Sequence, residues 1–211
     1  MTSIWGPLGW MTLHSTACAY SETPTTAERE LMSSWLELFR DSITCPSCRD
    51  HFSTLLNNYR IHFPGMLNSR QDFVIFTFRA HNAVNRRIHK PIYASVEECL
   101  ATLHTIVKTR PAREYRTNYL AHITRHWKVM QDVNGIVVLK KIQEMKRIES
   151  EYVSLRDTNF QIQLRPDVVV LPQDALERTN EVQVQRPIFL GKTGTGAAGF
   201  RITPNGIRLR R

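Results

Sequence analysis

What most constrains this chain is the pattern Cys45-Pro46-Ser47-Cys48, because of what flanks it on either side. Two cysteines separated by two residues can close a small disulfide, hold a metal, or alternate between dithiol and disulfide. Upstream, Thr25-x-x-Glu28 is a capping box, and Leu31, Trp35 and Leu38 recur at helical spacing. The pair therefore follows a helix rather than a strand, which argues against a thioredoxin-like fold. Thr44 is the expected N-cap of the next helix, with Pro46 in its first turn. Cys45 then lies where unpaired N–H groups and the helix dipole favour a thiolate. Cys48, Phe52 and Leu55 continue one inward face. One sulfur at the mouth and one turned inward suit a redox relay.

The rest of the first hundred residues reads as helices. Pro7 fits the first turn of a helix running to about Tyr20, with Trp10, His14 and Ala17 on one face. Arg60 to Asn68, containing Pro64-Gly65, reads as a loop. A fourth helix starts at Ser69 and shows a stripe of Phe73, Phe76, Ala80, Val84 and Ile88, with His81, Asn82 and Asn85 along its border. Lys90-Pro91 ends it, since the residue before a proline avoids the α region. Ser95-x-x-Glu98 opens a short fifth helix carrying Cys99 and Leu103.

Charge divides the chain. The net +9 lies entirely beyond residue 100, where 19 Lys+Arg face 10 Asp+Glu, against 9 of each before it. A basic half suits an acidic partner, but its charges are scattered, so nucleic-acid binding is not expected. Four cysteines do not make a disulfide-stapled mini-protein. Residues 1–20 lack the pattern of a signal peptide, and no run is long enough to span a membrane. A soluble protein kept in a cytosol-like space is expected, where a redox CxxC is catalytic rather than structural. A zinc site is disfavoured, because His51 is too close to Cys48 and His62 has no second histidine at ligand spacing. No metal ligands are expected.

Taken together, Trp5-Gly6-x-x-x-Trp10-x-x-Leu13-His14, Cys45-x-x-Cys48-x-x-x-Phe52, His81-Asn82-x-Val84-Asn85 and Lys90-Pro91-x-Tyr93 resemble the Erv/ALR sulfhydryl oxidases. The resemblance spans about residues 4–100. It implies a mainly α fold, a four-helix bundle plus a short fifth helix, binding FAD and usually forming a homodimer. It implies that Cys45 meets the substrate and Cys48 faces the flavin. Gly6, Trp10 and His14 would pack on the flavin, while His81, Asn82, Val84, Asn85, Lys90 and Tyr93 would hold its adenosine and phosphates. The implied reaction makes disulfides in thiol-bearing substrate proteins and passes electrons to molecular oxygen, giving hydrogen peroxide. Phe76 and Ser95 stand where the family often has Trp and Cys, Thr102 stands about where it often has Trp, and no remote shuttle cysteine pair is present. A compact core without a shuttle is most similar to the forms from large DNA viruses, which would place the protein in host cytoplasm or virion.

The expected division is an oxidase domain at residues 1–105 and a basic extension at 106–211. In the extension, stripes at Tyr115–Met130 and Val138–Leu155 read as helices. These helices would pack on the bundle or offer a partner surface. After Asn159 the period changes to two, at Phe160, Ile162 and Leu164, at Val182 and Val184, and at Phe200 to Leu209, so the extension is expected to be α+β. The competing reading is a flavin- or zinc-stabilised scaffold acting through its basic half.

Overall fold

A computed structural model describes residues 2–130 and 133–164, with side chains for 5–130 and 134–164. Seven α-helices and one 3₁₀ turn account for the regular structure of the described residues: α1 Thr2–Ala19, α2 Thr26–Ser42, α3 Pro46–His62, α4 Arg70–Arg87, α5 Val96–Val107, α6 Ala112–Val129, α7 Val133–Glu151, and the turn Val153–Leu155. None of these helices is long and apolar enough to cross a membrane.

Several boundaries follow from caps. Thr25 Oγ1 accepts the Glu28 N–H at 3.2 Å while a Glu28 carboxylate oxygen accepts the Thr25 N–H at 2.8 Å, closing the expected capping box. Ser69 caps α4 and Ser95 caps α5 through the N–H groups of Asp72 and Glu98. Three expectations are corrected. Helix α1 begins before Pro7, whose ring costs only one hydrogen bond near the open end. The N-cap of α3 is Cys45 rather than Thr44, because the Cys45 sulfur itself accepts the Cys48 N–H. Arg60 to His62 belong to α3, not to a loop. Arg60 is held there by Glu37 and by the Ser33 hydroxyl on α2.

Helix α1 packs between α4 and α6, and α2 packs on α3 and α7. One apolar cluster takes Leu13, Trp35, Phe39, Phe52 and Phe73 together with Tyr119, Ile123, Trp127, Ile142 and Met145. Gly9 shows how closely α6 approaches: a Cβ there would meet the Tyr119 ring at 3.4 Å. Residue 105 thus marks where the sequence resemblance ends, but it does not divide the packing. Helices α6 and α7 complete the core of the first five, and the described residues all fall within one compact unit. The expected packing of these helices on the bundle is seen, α6 against α1 and α7 against α2.

The expected strand at Phe160–Leu164 does not form. This stretch is irregular; the Asn159 N–H donates to the Cys18 carbonyl at 3.2 Å and Phe160 is buried. Ile162 and Leu164 pack singly against the helical core, so their alternation reflects docking rather than pairing. The alternations at Val182 and Val184 and at Phe200 to Leu209 lie outside the described residues.

Candidate active site

Only Ile43 and Thr44 separate the last residue of α2 from Cys45, so the first sulfur is delivered by a very short turn. Cys45 and Cys48 are joined by a disulfide. Cys48 packs against the core while Pro46 and Ser47 between them are exposed. The Cys48 N–H points at the Cys45 sulfur at 3.3 Å. That donor and the N-terminal end of α3 favour negative charge on Cys45 once the disulfide opens. With both sulfurs bonded to each other, neither is a thiolate able to ligate zinc.

A second constellation forms where α1 meets α4. Trp10 and His81 stack with ring centroids 4.1 Å apart and planes 9° from parallel. His14 Nε2 and His81 Nδ1 share a hydrogen bond of 2.9 Å. Tyr93 meets the His81 ring edge-on at 5.4 Å. Burial drives the His14 basicity far below the histidine norm, with the His81 charge adding to the effect. Burial and then the Lys90 ammonium bring His81 down to about 4. Both rings are therefore neutral at neutral pH, and one proton lies between them. The Trp10–His81 pair is a flat, uncharged, half-buried aromatic platform, with the His14 ring tilted 42° to His81. Gly6, one turn before Trp10 on the same face, would carry a Cβ into empty space.

Asn82 and Asn85 act differently from the expected direct contacts. The Asn82 amide is used twice on one residue: its Nδ2 donates to the Tyr93 carbonyl at 2.8 Å and its Oδ1 accepts the Tyr93 N–H at 2.9 Å. Asn85 Nδ2 donates to the Pro91 carbonyl at 3.0 Å, and the Lys90 N–H returns to the Asn85 carbonyl at 2.8 Å. The two amides pin the loop that carries Lys90 and Tyr93 against α4. His89, at φ 55°, makes the left-handed step that lets the chain reverse there. Val84 is half-buried on the same helix.

The sulfur pair and the platform lie toward one end of the α3–α4 pair. Tyr59 of α3 touches Phe76 ring to edge at 4.8 Å and accepts from Arg79 at 3.2 Å, both on α4. His51 of α3 faces the charge of Arg87, at the end of α4. Residue number falls along α3 as it rises along α4, so the helices are antiparallel: the disulfide end of α3 lies toward Arg87 at the end of α4, and His81 stands further along α4, in its C-terminal half. Burial, then Arg87, lowers the His51 basicity, leaving a neutral imidazole one turn from Cys48. His14 instead is committed to His81.

These residues fit a flavin dinucleotide. Paired flat rings at the edge of the core suit an isoalloxazine or adenine face, uncharged imidazoles suit its heteroatoms, and Lys90 on a pinned loop suits its phosphates. The departures from the family pattern have structural uses. Phe76 is fully buried among Tyr59 and Phe73, and Ser95 is the N-cap of α5. Thr102 is exposed, its hydroxyl bonded to the Glu98 carbonyl.

Sequence reasoning missed the support beneath the disulfide. The Trp127 indole N–H donates to the Ser42 carbonyl at 3.0 Å, and the Tyr119 hydroxyl lies 3.0 Å from Ser42 Oγ. The periodicity of α6 exposed both aromatic residues, but no pattern links position 42 to positions 119 and 127.

The Erv1 / Alr family profile matches residues 8–99. An FAD-linked sulfhydryl oxidase of African swine fever virus (isolate Tick/Malawi/Lil 20-1/1983) is 42% identical over 89 residues, covering 42% of this chain and 71% of the relative. That of isolate Pig/Kenya/KEN-50/1950 is 37% identical over 106 residues, 50% of this chain and 85% of the relative. The FAD-linked sulfhydryl oxidase ERV2 of Saccharomyces cerevisiae is 28% identical over 88 residues, 42% and 43% respectively. No solved structure matches the chain.

Proposed function

The chain belongs to the Erv1/Alr family, and on that premise we propose an FAD-dependent thiol oxidase that forms disulfides in substrate proteins. Its electrons go to molecular oxygen, giving hydrogen peroxide. The observation that carries this reading is a disulfide at the N-terminus of α3, on the end that lies toward the C-terminal half of α4, the half that carries His81. Bound FAD would supply two-electron acceptance and reactivity with oxygen, which no side chain offers. Trp10, His14, His81 and Tyr93 would hold its rings and Lys90 its phosphates, with Gly6 leaving room and Asn82 and Asn85 fixing the loop.

The protein's own part is thiol exchange. A substrate thiolate attacks the Cys45 sulfur, the Cys45–Cys48 bond breaks, and Cys48 leaves as a thiolate. A second substrate thiolate then attacks the substrate sulfur of the mixed disulfide, and Cys45 leaves as a thiolate against the Cys48 N–H. Neutral His51 takes a proton released by the substrate thiols.

A homodimer and a cytosolic site of action in an infected host cell belong to the same proposal; sedimentation at twice the monomer mass and cell fractionation test them. The central experiment uses the purified full chain. It should be yellow, absorb near ~450 nm as flavins do, and consume oxygen with dithiothreitol. A colourless protein inactive after FAD is added would overturn the reading.

A further inference from the structure

Helix α6 lies wholly beyond the matched residues 8–99, yet it holds the turn that delivers Cys45. Ser42, fully buried, is the last residue of α2. Its hydroxyl donates to the Phe39 carbonyl at 2.7 Å, which leaves its oxygen to accept from the Tyr119 hydroxyl at 3.0 Å. Its carbonyl is one of the groups a helix end leaves without an intrahelical partner, and Trp127 supplies the donor. Tyr119 also stacks on Phe39 at 5.5 Å, and Phe39 meets Phe52 edge-on at 5.6 Å. Phe52 lies one turn beyond Cys48 on the same inward face. Lys141 of α7 adds an ion pair to Asp41, whose carboxyl is held below its usual range by that bond and by Arg40 in spite of burial.

We propose that Tyr119 and Trp127 are positioning residues for the Cys45–Cys48 pair, so that helix α6 sets how readily the disulfide forms and opens. The proposal rests on the thiol-oxidase reading. One aromatic residue braces both arms of the redox turn, through Ser42 before Cys45 and through Phe39 and Phe52 beneath Cys48. Holding the two arms in register raises the effective concentration of one sulfur at the other and favours the disulfide.

Tyr119→Phe removes one oxygen and keeps the ring stack, so it leaves the fold in place. In the holoenzyme under anaerobic glutathione buffers, trapped thiols read by mass spectrometry give the equilibrium between disulfide and dithiol. Tyr119→Phe is expected to shift it toward dithiol by up to about fivefold, the size of one buried hydrogen bond made in the disulfide form and lost in the dithiol. Trp127→Phe should shift it the same way. Ser42→Ala should shift it alone, and adding Tyr119→Phe to Ser42→Ala should change little more. The oxidised form should lose more thermal stability than the reduced form. Equal losses in both forms with an unmoved equilibrium would show simple core packing and overturn the proposal. If the wild-type chain fails to oxidise dithiols, the functional reading falls, while the same equilibrium still decides the role of α6.

Discussion

Among single residues, the four cysteines separate by environment. Cys45 and Cys48 sit at a helix N-terminus, whereas Cys18 and Cys99 are buried. Burial, with Cys99 nearby, raises the Cys18 thiol far above its ordinary value, and burial with Glu98 pushes Cys99 up to about 12. Both stay protonated and slow to react. Reduced native protein treated briefly with iodoacetamide should carry label on Cys45 and Cys48 only, with the other two labelled after unfolding. Cys45→Ser and Cys48→Ser should each reduce dithiol-dependent oxygen uptake by at least about 10³-fold, because exchange needs both sulfurs. Oxygen electrode rates near wild type in either variant would dismiss the relay. The histidine pair gives a pH prediction. His81 titrates near 4 in the folded chain and near ~6.5 when unfolded, so between these values only the unfolded chain takes up the proton. Stability is complete above the unfolded value and is lost as pH falls through this window, by on the order of 3 kcal/mol from this group. His14 acts in the same direction, with Trp10, Tyr93 and Lys90 around the pair. Melting temperatures from pH 7 to 4 should fall for wild type and fall less for His81→Gln.

At the scale of elements, the loop after α4 is the part whose role changed most between sequence and structure. Asn82 spends its whole amide on Tyr93, so it shapes the pocket by holding backbone. Asn82→Ala would remove both hydrogen bonds to the half-buried Tyr93 backbone, at a cost of about 0.5–1.5 kcal/mol each. The expected outcome is a loop freed from α4 and at least tenfold faster flavin release on dilution, with the far-ultraviolet spectrum kept. Flavin retention equal to wild type would mean the loop does not shape the pocket. The elements themselves were largely legible, since Thr25 and Ser95 cap the helices that their spacing to Glu28 and Glu98 announces, and α4 starts at Ser69 as expected, with Ser69 as its N-cap. The start of α1 was hidden because Pro7 looks like a first-turn residue wherever it stands near a helix N-terminus. Cys45 as N-cap was hidden because sulfur is a weak acceptor and Thr44 beside it is the better-known one. Whether an asparagine beside an apolar stripe bonds a ligand or its own loop depends on residues eleven positions away, which periodicity does not register.

For the whole molecule, the open question in the sequence was whether residues 1–105 stand alone. Every residue assigned to the chemistry lies there, and no cysteine lies beyond residue 99. The structure argues against independence. Tyr119 and Ile123 are completely buried, Leu120 and Trp127 nearly so, all from α6 and all within the core shared by α1 and α2. Removing them returns facing surface on Gly9, Phe39 and Ser42 to water. At roughly 1.5–3 kcal/mol for each large apolar side chain, the four contribute about 6–12 kcal/mol. That is comparable to the entire net stability of an ordinary domain, about 5–15 kcal/mol. Ser42, Phe39 and Phe52 would be disturbed together, so the damage reaches the redox turn before it reaches the Trp10–His81 platform. A chain ending at residue 105 is therefore expected to melt without a cooperative transition and to lose flavin. A chain ending at residue 164, which keeps α6, α7 and the segment through Leu164, should melt cooperatively and retain flavin. Circular dichroism melts and flavin-to-protein absorbance ratios of the two truncations decide it. A cooperative, yellow 1–105 chain that oxidises dithiothreitol at the full-length rate would show that α6 and α7 are dispensable cladding, and would remove the basis for assigning α6 any hold on Cys45.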